Sequence, residues 1–61
     1  MPIVTVKMLE GRTDEQKKAL VEKVTAAVVE TVNAPPEAVT IVIEEMAKNH
    51  YANAGVRASD K

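Results

Sequence analysis

Pro2 follows Met1 directly. Methionine aminopeptidases remove an initiator methionine when the next residue is small, and proline qualifies. The mature chain would then begin with a free secondary amine, the only one a ribosomal polypeptide can offer. In an apolar pocket the ammonium form loses solvation, and the amine titrates closer to neutrality. An amine poised near the working pH is an efficient general base. A plainer role for Pro2 is to open an edge strand, where a missing N–H is tolerated. With Met1 retained, the nitrogen is an amide and has no basicity.

Arg12 is the second candidate. It ends the turn Glu10-Gly11-Arg12, just ahead of a helix start. A guanidinium beside free backbone N–H groups suits a carboxylate, and a solvated turn arginine is the alternative. His50 stands alone in a polar turn, where a surface or turn-capping role is expected. Glu44 and Glu45 are adjacent, so on a strand they point to opposite faces and cannot act as a paired acid and base within one chain. There is no cysteine, no Ser/His/Asp set and no glycine-rich phosphate loop. No cofactor is expected, and a single histidine beside carboxylates leaves no ordinary zinc site.

These groups must be held by few elements. Residues 2–9 alternate, with Val4, Val6 and Met8 on one face and Ile3, Thr5, Lys7 and Leu9 on the other, which predicts a strand. Thr13-Asp14-Glu15-Gln16 forms a capping box. From there to about Val32, Leu20, Val21, Val24, Ala27, Val28, Thr31 and Val32 recur at helical spacing, with Lys17, Lys18, Glu22, Lys23 and Glu30 mostly outside that stripe. Asn33-Ala34-Pro35-Pro36 stops the helix, and Glu37-Ala38 can make one short turn. Residues 39–46 read as a second strand, apolar on both faces through Val42. Strand, helix, strand predicts an α/β fold, a single βαβ unit with parallel strands and a right-handed crossover. The helix and an eight-residue strand are expected to match in length, at roughly 28 and 27 Å. In the tail, Lys48-Asn49-His50 is turn-like, Asn53-Ala54-Gly55 can close a small C-terminal hairpin, and residues 58–61 are expected to fray.

The chain of 61 residues allows one domain, 1–61. On folding alone it would bury only about 60% of its unfolded surface, and chains below roughly 70–80 residues lean on disulfides, metals or oligomerisation. Without cysteine or a zinc site, self-association remains. Hydrophobic residues are 46% of the chain and charged ones 28%, an ordinary globular mix, but there is no Phe or Trp and Tyr51 is the sole aromatic. One helix covers one sheet face, so the other, with Ile3, Leu9 and half of the second strand, is the expected interface. A net charge of −1 argues against nucleic acid as a partner. No apolar run approaches the roughly 18 residues of a membrane span. Charges at Lys7, Glu10, Arg12 and Asp14 interrupt any signal-peptide core, so a cytoplasmic protein is expected.

Residues 2–17, Pro-Ile-Val-Thr-Val-Lys-Met-Leu-Glu-Gly-Arg-Thr-Asp-Glu-Gln-Lys, resemble the amino terminus of 4-oxalocrotonate tautomerase and its close bacterial homologues. Ala34-Pro35 and the segment Glu44-Glu45-Met46-Ala47-Lys48-Asn49-His50-Tyr51 resemble that family too, so the likeness spans essentially the whole chain. The resemblance implies a homo-oligomer, usually a hexamer built as a trimer of dimers. It also implies cofactor-independent keto–enol tautomerisation of a small carboxylate, a 2-hydroxy-dienoate or 2-oxo acid. Pro2 matches the family's catalytic base and Arg12 its carboxylate-binding arginine. Tyr51 falls where the family has a Phe that walls the pocket, and Leu9 where backbone lines the site.

One position departs from the family. Its second functional arginine, donated by a neighbouring subunit, corresponds here to Thr40. A hydroxyl cannot replace a bidentate cation, and loss of one such donor commonly costs about 10²–10³ in rate. Arg57, where the family has an apolar residue, is a candidate substitute. Thr40 therefore keeps two other classes open. One is a divergent superfamily member performing hydration, dehalogenation or decarboxylation with a protonated proline. The other is a catalytically silent oligomeric binding module.

Overall fold

The computed structural model describes all of residues 1–61. Strand β1 (Ile3–Leu9) leads into helix α1 (Asp14–Val32), then strand β2 (Thr40–Met46). The two strands pair in parallel, from Ile3 opposite Thr40 to Leu9 opposite Met46. Parallel strands need a long crossover, and α1 supplies it. The tail adds β3 (Ala52–Asn53) and β4 (Val56–Arg57), which pair antiparallel as a separate hairpin.

Local chemistry explains each boundary. The Thr13 hydroxyl accepts from the Gln16 N–H at 3.1 Å, and the Gln16 side chain accepts from the Thr13 N–H at 3.0 Å. That reciprocal pair satisfies two of the free donors at the start of α1. At the other end Asn33 takes the left-handed conformation, with φ 58°. Asparagine adopts it more readily than most residues, and Pro35 and Pro36 then forbid further helix. A 3-10 turn over Pro36–Ala38 feeds β2. In the hairpin, Ala54 and Gly55 both have positive φ, 54° and 80°, as a type I′ turn requires.

The helix lies on the face carrying Val4, Val6, Met8, Ile41 and Ile43, all half-buried. Leu20, Val21, Val24 and Val28 of α1 are half-buried with them, as their spacing predicts. The expected stripe is too long, however: Ala27, Thr31 and Val32 are exposed, Val32 at 59%. The seven-residue strands span only about 23 Å, so the 19-residue helix overhangs them by about one turn. Lys17, expected mostly outside the stripe, is half-buried within it, in phase with Leu20, Val21 and Val24.

Residues 58–60 do not fray. They form a 3-10 turn over Ala58–Asp60. The Ala58 N–H donates to the Tyr51 carbonyl at 2.9 Å. Arg57 grips Asp60 through two hydrogen bonds, Nε to Oδ2 at 2.9 Å and Nη2 to Oδ1 at 3.2 Å. A bidentate Arg–carboxylate pair three residues apart fixes the turn, a pairing that composition alone does not reveal.

No residue of the 61 is fully withdrawn from solvent. The chain exposes 4701 Å², where about 3,900 Å² is typical of a compact monomer of this mass. Its radius of gyration is 14.5 Å, against about 10.5 Å for a compact domain of this length. The sheet face away from α1 leaves Ile3 59% and Val42 39% exposed. Helix and sheet are formed here, but a closed core is not. No helix is long and apolar enough to cross a membrane.

Candidate active site

The candidate residues divide between the two ends of the sheet. Pro2 lies at the amino-terminal end, half-buried just ahead of β1. The Thr40 N–H donates to the Pro2 carbonyl at 3.0 Å, so position 40 sits directly beside Pro2. Ile3, the next residue along β1, is 59% exposed and leaves hydrocarbon open to solvent at this end. Met1 is 88% exposed and so within reach of an aminopeptidase.

Leu9 and Arg12 lie at the carboxyl-terminal end. Seven residue steps separate Pro2 from Leu9, or about 23 Å of extended chain. Pro2 and Arg12 therefore cannot meet within one chain. Two hollows flank Arg12. One, of about 230 Å³, is lined by Met8, Arg12, Gln16, Lys17 and Leu20. The other, of about 420 Å³, is lined by Met8, Leu9, Glu10, Gly11, Arg12 and Lys48. Gly11 has φ 120°, a conformation open essentially to glycine alone, and it turns the chain so that Arg12 faces both hollows. Arg12 is exposed and takes part in none of the ion pairs, so its guanidinium is free for an incoming anion.

Tyr51 follows the 3-10 turn Lys48–His50 that leaves this same end, and it is 40% exposed. Arg57 is not free, because Asp60 holds it. His50 is exposed, and its side chain makes no hydrogen bond within the chain. Glu44 and Glu45 point to opposite faces as expected: Glu44 lies 4.0 Å from Lys7 on the open face, and Glu45 lies 2.8 Å from Lys17 under the helix. Sequence reasoning overlooked this second pair. Its one available signal was the helical phase of Lys17. No group of three or more His, Asp or Glu residues is placed to hold a metal ion.

The chain is a parallel βαβ unit with its functional candidates at opposite strand ends, and known proteins of this shape define its class. YwhB, a solved homologue of 4-oxalocrotonate tautomerase, superposes with a TM-score of 0.95 at 67% identity, covering 98% of both chains. A heterohexameric 4-oxalocrotonate tautomerase from Chloroflexus aurantiacus gives 0.94 at 30% identity, covering 98% of this chain and 97% of that one. The 2-hydroxymuconate tautomerase of Bacillus subtilis is 68% identical over 60 residues, 98% of this chain and 97% of that protein. The sequence profile of the tautomerase enzyme family matches residues 2–61. The chain belongs to the tautomerase family, and it is an isomerase.

Proposed function

We propose that the chain ketonises a 2-hydroxy-dienoate or related 2-oxo acid without a cofactor, with Pro2, freed by removal of Met1, as general base. The observation that carries this reading is the family match, which begins at Pro2 itself. In the reaction the Pro2 nitrogen takes the proton of the 2-hydroxyl group. A carbonyl forms at C2 as the enol double bond shifts its electrons along the conjugated chain. The carbon that gains them takes the proton back from the prolinium. Nothing is oxidised or reduced, and the amine is regenerated.

Arg12 binds the substrate carboxylate, and Leu9 and Tyr51 line the space around it. Because Pro2 and Arg12 lie at opposite strand ends, a working site combines Pro2 from one copy with Arg12 from another. The uncovered sheet face and the absence of a buried core support assembly into a homo-oligomer, and a hexamer is the form we propose. The protein works in the cytoplasm on a small carboxylate, with no nucleic-acid or membrane partner. Arg57 is the candidate for the missing second cation, and it must leave Asp60 to serve. Ketonisation of 2-hydroxymuconate by purified protein, compared with a Pro2→Ala variant, tests the reading. Equal activity in the two would end the base assignment.

Thr40 favours a second reading. It puts a hydroxyl where the family pattern has an arginine donated by a neighbouring copy, which weakens enolate stabilisation. A divergent member using prolinium as an acid, or a silent binding module, would tolerate that loss. The pH–rate profile separates the cases. A base requires the free amine, so activity rises as pH climbs through the proline pKa. An acid requires the prolinium, so activity falls over the same interval. The silent module gives no turnover at any pH.

A further inference from the structure

We infer that Lys17 is a positioning residue that keeps Arg12 available to substrate by neutralising Glu45. The inference rests on Arg12 being the carboxylate anchor. Three observations carry it. Lys17 Nζ lies 2.8 Å from Glu45 Oε2, the shortest ion pair in the chain and the only one that ties helix to sheet. Lys17 and Arg12 line the same hollow, on a floor made by Met8 and Leu20. Glu45 is the register partner of Met8, which lines that hollow, and it is bound to Lys17, which lines it too.

Glu45 is thus an anion held on Lys17, which shares a hollow with the proposed anion-binding arginine. The other two pairs are more exposed, while the Lys17 and Glu45 side chains are only 27% and 37% exposed. A carboxylate there feels nearby cations more strongly than one in open water. Without Lys17, Arg12 is the other cation lining that hollow, and its planar fork matches a carboxylate in two bonds. An internal carboxylate would then compete with that of the substrate. Lys17 prevents this by holding Glu45 on the helix side. The role is electrostatic and acts through Arg12, so it belongs to KM and not to the proton-transfer step.

Steady-state kinetics on 2-hydroxymuconate, using the assembled protein, separate the outcomes. Lys17→Met keeps the alkyl stem over Met8 and Leu20 but removes the charge. It is expected to raise KM about fivefold with kcat unchanged, the scale of one partly exposed ion pair. Adding Glu45→Gln removes the competitor and returns KM to the wild-type value. An unchanged KM in Lys17→Met overturns the inference. So does a double variant that stays impaired, because Lys17 would then be touching substrate directly. If Lys17→Met fails to assemble, Lys17→Gln carries the same comparison. Arg12→Ala identifies which layer has failed. A rise in KM there without one in Lys17→Met retires the role of Lys17 alone, whereas no rise in Arg12→Ala removes the anchor and this inference with it.

Discussion

At Pro2 the proposed chemistry depends on one covalent event, the removal of Met1. Mass spectrometry of the mature protein should show a chain beginning at Pro2, and a retained Met1 should accompany an inactive sample. Pro2→Ala substitutes a primary for a secondary amine in a different geometry. It is expected to lower kcat by about 10²–10⁴, the usual worth of a positioned base. Arg12→Ala removes a charged, potentially bidentate partner, so KM should rise about 10- to 100-fold. Thr40→Arg restores the cation that the family pattern donates from a neighbouring copy. It should raise kcat on a dicarboxylic dienol by up to about 10², with the exposed position accepting the larger side chain. Residue type offered Pro2 and Arg12 as candidates, a secondary amine and a turn guanidinium in a chain without cysteine, and the family resemblance gave them their proposed roles. Thr40 drew notice by resemblance, but its hydrogen bond to Pro2 depends on strand register, which a two-residue alternation leaves open. The Lys17–Glu45 pair needs the helix-to-sheet register as well, and no single-chain periodicity encodes that.

Among the elements, the loop between β1 and α1 does most to place Arg12. A Cβ added at Gly11 would meet no atom within 4 Å, so Gly11→Ala is a test of backbone alone. At φ 120° an alanine is strained, and we expect a loss of about 1–3 kcal/mol in stability together with a raised KM as Arg12 shifts. Urea unfolding and kinetics on the same preparation check both effects. Thr13→Ala breaks the capping box and should destabilise by about 1 kcal/mol, with a smaller effect on KM. In the hairpin, Ala54 holds a left-handed conformation that costs alanine about 1 kcal/mol, so Ala54→Asn should raise the melting temperature slightly. The elements themselves were legible. The capping box, the 3.6-residue stripe, the double proline and the two β-branched runs mark β1, α1 and β2 to within a residue or so. The helix overhang was not legible, because it is a difference of lengths that depends on where each strand stops pairing. Nor was the terminal 3-10 turn, which is fixed by Arg57 reaching Asp60.

For the whole molecule, the central fact is that a well-formed βαβ unit ends up with no buried residue and an extended shape. A short chain with no disulfide leaves Ile3, Val42 and the overhanging Val32 exposed, and in the proposed homo-oligomer they are buried against other copies. Fold and activity should therefore fall together on dilution, and ellipticity and turnover measured over one concentration series should share a midpoint. An active, folded monomer is incompatible with that expectation. The separation of Pro2 from Arg12 gives a sharper test. Pro2→Ala and Arg12→Ala chains, the first low in kcat and the second weak at substrate concentrations below KM, can be unfolded together, reassembled at equal concentrations and assayed below the wild-type KM. If each site takes its proline from one copy and its arginine from another, random mixing leaves both intact at about a quarter of the sites. We predict recovery of about that fraction of wild-type turnover. Mixed assemblies, verified by mass, that remain as impaired under those conditions as the two parents would contradict a site shared between copies.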